Sequence, residues 1–228
     1  MNHTTYSLLE NYMLTCMNDS THDKEHIYRV LYTALEIAKT EQNVNYDILI
    51  AACLLHDIGR REQFENPNLC HAIVGADKAY RFFIEHKFDL AFAEQVKHCI
   101  STHRYQKTNE RISIEAKILF DADKIDVVRL IGIARRLIYQ GIVGVLLYSV
   151  LPDGTISSGE KDAVPSFFYE YHFKLKNIYS NFYTARGEIA AERKKSAEEF
   201  YCHLYREVSL PYQNGRAELG EIMEKEFN

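Results

Sequence analysis

Eight consecutive apolar residues, Ile48-Leu49-Ile50-Ala51-Ala52-Cys53-Leu54-Leu55, run directly into Leu55-His56-Asp57-Ile58-Gly59-Arg60. A helix that buries such a run ends by presenting an imidazole and a carboxylate side by side, with Gly59 ready to stop it. An ionised carboxylate taken out of water costs several kcal/mol unless it is paired or bound to a cation. The His56–Asp57 pair at the polar end of this helix therefore points to a divalent metal. Two residues alone fit equally well a helix end merely decorated with His and Asp, so further ligands decide the matter.

Such residues are present. A histidine opens an amphipathic segment in Glu25-His26-Ile27-Tyr28-Arg29-Val30, and carboxylates cluster in an otherwise apolar segment, Leu119-Phe120-Asp121-Ala122-Asp123-Lys124-Ile125-Asp126. The order H…HD…D, each member on a different predicted helix, resembles the HD-domain metal-dependent phosphohydrolase superfamily. The blocks His71-Ala72-Ile73-Val74-Gly75-Ala76 and Ile100-Ser101-Thr102-His103-Arg104 add to the likeness. The run from Asp121 to Ile133, followed by Ala134-Arg135-Arg136, is similar to the small bacterial YedJ/YpgQ-like branch. The resemblance covers residues 20 to 140 through its motifs. It implies four metal ligands, His26, His56, Asp57 and Asp123, and a hydrolase of phosphorylated molecules.

The residues suit that chemistry. Two neutral imidazoles and two carboxylates form a mixed N/O donor set, better matched to Mn, Fe, Ni, Co or Zn ions than to Ca²⁺, with Mg also a candidate. Asp57 can bind metal with one oxygen and orient or deprotonate a water with the other. Lys124 would give a phosphate a point charge, and Arg60 at the mouth of the HD helix could do the same, unless it is simply solvated. His71 is a candidate to protonate a leaving group or hold a second metal, with a capping or surface histidine as the plain alternative. His103 is a further substrate-binding candidate. On a helix Asp121 and Asp123 lie about 200° apart, so only one faces the site. The resemblance, in which the ligand directly precedes a basic residue, favours Asp123. Asp126 is a candidate outer partner of a ligand, and the plain account of Asp121 and Asp126 is a polar stripe paired with Lys117, Lys124 and Arg129.

Composition limits the alternatives. With 228 residues, 46% of them hydrophobic, the chain can bury a sizeable core as one domain, or as one domain with a helical extension. A net charge of −5 argues against a dedicated surface for a nucleic-acid polymer or an anionic membrane, while a small phosphorylated partner, a nucleotide above all, needs only local positive charge. Five scattered cysteines without a CxxC read as reduced thiols of a cytoplasmic protein. No basic stretch followed by an apolar run opens the sequence, so a secretory leader is not expected. The longest apolar stretch, Gly141 to Leu151, is too short and broken to span a bilayer. A homo-oligomer is left open.

The expected fold is all-α: an HD-domain helical bundle with a C-terminal helical extension, read as a single HD-type domain over 1–228 with its motif-bearing core at 20–140 and the extension at 141–228. Helical periodicity marks residues 4–17, 23–40, 46–58, 69–86 and 89–103, with Ser20 as an N-cap and a loop over 60–68. Ser113 to Tyr139 reads as one helix kinked at Gly132. Val143 to Thr155 has some hairpin character, and helices return at 165–179 and 185–208. The aromatic run Phe167, Phe168, Tyr169, Tyr171 and Phe173 fits either a stacking wall for a base or a core.

Within the superfamily, pyrophosphate release from nucleoside triphosphates is the specific expectation. Phosphomonoesterase or phosphodiesterase activity is the runner-up, and no Gly-Tyr-Pro block favours a cyclic-dinucleotide phosphodiesterase. A non-catalytic metal- or nucleotide-binding regulatory module is the remaining class. The intact ligand set argues against it.

Overall fold

The structure, a computed structural model, describes residues 1–17, 24–104, 110–160, 162, 164–176, 182–184 and 187–225. Every regular element among them is helical: α1 (His3–Cys16), α2 (Lys24–Ala38), α3 (Tyr46–Leu55), α4 (Arg60–Glu65), α5 (His71–Glu85), α6 (Leu90–Thr102), α7 (Ile114–Val127), α8 (Leu130–Ile142), α9 (Phe167–Glu170), which continues into a π-helical turn (Tyr171–Leu175), and α10 (Gly187–Lys225). The all-α expectation holds. None of these helices is long and apolar enough to cross a membrane.

The chain packs as two compact units, one of residues 1–126 with 182–187 and the other of 127–181 with 188–228. In the first, α3 is the central element. Asn45 caps it by accepting from the Asp47 and Ile48 amides. Of its run only Ile50 escapes full burial, because α1, α2 and α6 pack around it and α5 lies along α6. The core these helices share includes Leu9, Met13, Val30, Leu49, Leu54, Phe83, Val96 and Leu119. Burying each such side chain is worth about 1.5–3 kcal/mol, enough to hold a polar centre that contributes no such gain itself.

Several boundaries differ from expectation. α3 ends at Leu55, and residues 56–59 form a tight turn before α4 starts inside the segment expected to be loop. The 113–139 stretch is not one helix kinked at Gly132. It breaks earlier, at Val128-Arg129, where Arg129 takes up extended backbone (φ −76°, ψ 165°) as the N-cap of α8. Gly132 is buried inside α8, where a glycine costs only about 1 kcal/mol. The last helix runs to Lys225, well past Val208, with Pro211 inside it. The hairpin expected over 143–155 reduces to one antiparallel bridge, Val150 with Ile156, around a turn in which Gly154 has φ +80°. Ser20 lies outside the described residues.

The second unit has its own core, in which Ile133, Ile156, Phe167, Phe168, Tyr171 and Leu175 are buried. Three of the five aromatic residues of the 167–173 run are thus core. Tyr169 and Phe173 stack on each other instead, with ring centroids 4.2 Å apart.

Candidate metal centre

The centre is built at the ends of buried helices in the first unit. His56 caps α3, and its Nδ1 sits 2.8 Å from the Cys53 carbonyl, so Nδ1–H donates and Nε2 is left as a bare acceptor. His26, in the first turn of α2, uses the same device with a carboxylate: Nδ1 lies 2.7 Å from Asp126 Oδ2, and Arg29 Nε donates to the other oxygen of Asp126 at 2.8 Å. His26 Nε2 then faces His56 Nε2 at 3.4 Å, Asp123 Oδ1 at 3.3 Å and Asp57 Oδ2 at 3.7 Å, and Asp57 Oδ2 is 3.8 Å from His56 Nε2. All four residues are at most 3% exposed.

These spacings fit a shared cation. Ligands about 2.0–2.2 Å from one ion lie roughly 3.0–3.6 Å from each other, and two ring nitrogens face to face beside two carboxylate oxygens make the donor set such an ion takes. The protonation states agree. Burial pulls the His56 imidazole down to about 4, so it is neutral at pH 7. Burial works against charge on Asp57 and Asp123, but the cations around them outweigh it and hold both well below the usual carboxylate range. For Asp57 the leading counter-charge is Arg60, for Asp123 it is Lys124. Neutral imidazoles and ionised carboxylates are the forms that ligate metal.

A second group adjoins the first. Asp57 Oδ1 lies 3.6 Å from both His71 Nε2 and His103 Nε2. His71 Nδ1 is held by Gln63 Oε1 at 2.7 Å, and His103 Nδ1 by the Ile100 carbonyl at 2.6 Å. Asp57 Oδ1 is ion-paired with Arg60, whereas His103 Nε2 is fully buried and makes no hydrogen bond. A buried polar atom is rarely left so, and a ring nitrogen facing a carboxylate oxygen across 3.6 Å suits a cation between them. Asp57 therefore turns one oxygen toward each group of histidines. His26, His56 and Asp123 form one potential metal-binding set, and Asp57, His71 and His103 another.

The remaining candidates are placed as follows. Lys124 is buried and donates to Asp123 Oδ2 at 2.5 Å, which braces a carboxylate of the first group. Arg60 Nε lies 2.9 Å from Asp57 Oδ1, with its side chain 37% exposed. Asp121 points away from the histidines and accepts from the Tyr183 and Thr184 amides and the Thr184 hydroxyl. Burial, opposed by these donors, raises it to about 6. The polar-stripe account of Asp121 and Asp126 gives way to these partners and to His26 and Arg29.

Gly59 does not serve as a left-handed helix stop, since its φ is −96°. What it permits is close approach: a Cβ there would meet the His71 carbonyl oxygen at 2.4 Å and the Gly75 nitrogen at 2.6 Å. The turn carrying His56 and Asp57 is thereby pressed onto the start of α5, which carries His71.

Sequence reasoning missed Arg29, Gln63, Arg104 and Arg111. Arg29 was within reach, three residues after His26 on one helical face. Gln63 was hidden because its helix is only six residues long.

Comparison with known proteins finds relatives of the same fold. The profile of the HD domain family matches residues 24–128. YpgQ of Bacillus subtilis is 27% identical over 193 residues, which span 83% of this chain and 85% of YpgQ. Its structure in complex with ADP superposes with a TM-score of 0.66 at 22% identity, covering 89% of this chain and 97% of YpgQ. A protein of Lactobacillus plantarum gives a TM-score of 0.72 at 21% identity over 91% of this chain and 98% of its own. An HD-superfamily hydrolase of Bacillus thuringiensis gives 0.64 at 23% over 90% and 96%.

Proposed function

We propose that this chain, whose residues 24–128 match the HD domain family, is a divalent-metal-dependent phosphohydrolase of small phosphorylated molecules, in particular nucleotides, releasing pyrophosphate from nucleoside triphosphates. The observation that carries the reading is the convergence of His26, His56, Asp57 and Asp123 with their lone pairs turned toward one another in a buried space. The ADP complex of the relative YpgQ supports the choice of a nucleotide. Five free thiols and a reducing compartment such as the cytoplasm go together.

In this reading His26, His56, Asp57 and Asp123 hold one ion, and Asp57, His71 and His103 hold a second. A divalent ion at such a site lowers the pKa of bound water and offsets charge on phosphorus. Asp57 is the residue through which both groups act, one carboxylate oxygen toward each, and where only the first ion is bound its Oδ1 would be left to orient an attacking water. Burial, with the Arg60 charge beside it, pushes His71 down to about 2. A neutral imidazole of this kind serves as a ligand rather than as the proton donor to a leaving group. Arg60, partly exposed beside Asp57, offers its charge to a phosphate, and Lys124 fixes the orientation of Asp123.

A screen for phosphate and pyrophosphate release across nucleotides, using metal-stripped protein resupplied with Mn²⁺, Mg²⁺, Co²⁺ or Ni²⁺, tests the proposal. Metal-dependent release is the expected result. Fully metallated protein that releases neither product while binding a nucleotide would replace the hydrolase with a regulatory binding module.

A further inference from the structure

Tyr183 is an aromatic residue 48% exposed to solvent, yet it is fixed in place with unusual thoroughness. Its amide donates to Asp121 at 3.0 Å, and the next residue gives the same carboxylate an amide at 2.8 Å and a hydroxyl at 2.6 Å. Its hydroxyl accepts from Arg111 at 3.0 Å, and its ring makes a T-shaped contact with Phe120, centroids 5.4 Å apart. Arg111 is itself nearly buried, with its guanidinium carbon 3.9 Å over the Phe120 ring. A surface tyrosine needs none of this to remain soluble. Held rigid, it is a platform on which a planar group can stack at little entropic cost.

The platform lies within reach of the metal centre. Lys124 Nζ is 5.3 Å from the Phe120 centroid and 2.5 Å from Asp123 Oδ2, so Tyr183, Phe120 and Lys124 form a series of neighbours that ends on a candidate ligand. Arg104 continues the same surface. Its carbonyl accepts from Arg111 at 2.8 Å, and its guanidinium donates to Cys70 Sγ at 3.5 Å, next to His71. Among the described residues no carboxylate lies within ion-pair distance of Arg104. A half-buried guanidinium whose partner among the described residues is a thiol has charge to offer an anion.

We infer that Tyr183 stacks on the base of a bound nucleotide and Arg104 binds its phosphate chain, with Arg111 as the residue that positions Tyr183. The inference rests on the reading of the site as one for nucleotides. It makes the two residues separable. A base-free polyphosphate engages Arg104 and has nothing to place on Tyr183.

The test compares wild type, Y183A, Y183F and R104Q, all metal-loaded, on a nucleoside triphosphate and on inorganic tripolyphosphate, with fluorescent ADP binding measured in parallel. For Y183A the nucleotide KM and the ADP Kd are expected to rise roughly five- to a hundredfold, with tripolyphosphate kinetics and kcat unchanged. Y183F keeps the ring and loses the Arg111 contact, so its loss of ADP affinity is expected to be smaller than that of Y183A. R104Q should lose about ten- to a hundredfold in kcat/KM on both substrates. Unchanged nucleotide KM and ADP affinity in a folded Y183A protein would overturn the inference, as would equal losses on both substrates. If Y183A does not fold, Y183F decides: a loss of ADP affinity there as large as in R104Q would show that the hydroxyl contact matters and the stacking face does not. If wild type hydrolyses nothing, the hydrolase reading fails, and the ADP titration of Y183A alone still decides this one.

Discussion

Substituting Gly59→Ala probes the contact that joins the His56–Asp57 turn to α5. The new Cβ would lie 2.4 Å from the His71 carbonyl oxygen, 2.6 Å from the Gly75 nitrogen and 3.2 Å from the Gly75 Cα. All three are backbone atoms, so no side chain can swing aside. Ordinary contacts are roughly 3.5 Å, which means the start of α5 must retreat by about 1 Å. Overpacking of this kind costs about 1–3 kcal/mol, and two contacts below 3.0 Å put this site at the upper end. Loss of backbone freedom in the unfolded chain returns about 0.4–1 kcal/mol. The expected net loss is about 2 kcal/mol.

Gly75→Ala is the internal control. There the nearest atoms are Gly59 N at 3.3 Å, His56 O at 3.5 Å and Ile100 Cγ2 at 3.7 Å, and the residue is inside a helix. Alanine is worth about 0.8–1 kcal/mol over glycine in a helix interior, so this change should be neutral or mildly stabilising. Urea unfolding at pH 7 reads both as shifts in midpoint at common slope. A Gly59→Ala loss below about 0.5 kcal/mol, or equal losses for the two variants, would show that close approach is not what glycine supplies at position 59. Because His71 moves with the start of α5, Gly59→Ala should also depress metal-dependent turnover at temperatures where the protein remains folded.

Four further outcomes follow. Asp57→Ala removes the carboxylate shared by both histidine groups and should abolish hydrolysis in a protein with wild-type helical circular dichroism; turnover retained in a rigorously pure sample would refute its role. Asp126→Asn takes the anionic acceptor from His26 Nδ1 and should weaken metal affinity about 10–100-fold, measured by competition with a chelating dye; unchanged affinity would make Asp126 a partner of Arg29 only. A ligating ion at a hundred times its Kd should stabilise the protein by about 2.7 kcal/mol, seen as a rise in Tm over chelator-treated protein, and no rise with any of Mn²⁺, Mg²⁺, Co²⁺ or Ni²⁺ counts against a metal centre. His56 is held near 4 by burial, below its unfolded value of about 6.5, so the unfolded chain takes up this proton first and metal-free protein should lose stability as pH falls from 6.5 toward 4; a Tm that stays flat across that window would contradict the neutral buried imidazole.

What the sequence made legible was local. The α3 run announces its own burial, and the residues after it inherit that setting. His56 and Asp57 stand out at the end of an apolar run, the full set with His26 and Asp123 was implied by the family resemblance, and the fold does bring the four together. What stayed hidden depends on partners far away in the chain. Nothing near Asp121 announces that residues 183 and 184, some sixty positions on, will satisfy it. The position of the α7–α8 break was misjudged because glycine is a general helix breaker, whereas Arg129 leaves helical backbone without any such mark in its residue type. α4 is too short to have a period.

The anchoring of the four imidazoles has a consequence for how the centre forms. Each ring has its Nδ1 tied down, two to carbonyls of the preceding helical turn, one to a glutamine and one to a carboxylate. Their rotamers and tautomers are therefore set when the apolar core condenses, with no ion required. In zinc fingers, by contrast, the metal organises the chain and its removal unfolds it. If the centre takes an ion, its capture should be a late, local event on a standing scaffold. Its rate should be governed by diffusion and by the shedding of the ion's hydration shell, and a chelator should yield an inactive but folded protein that recovers within the time of mixing.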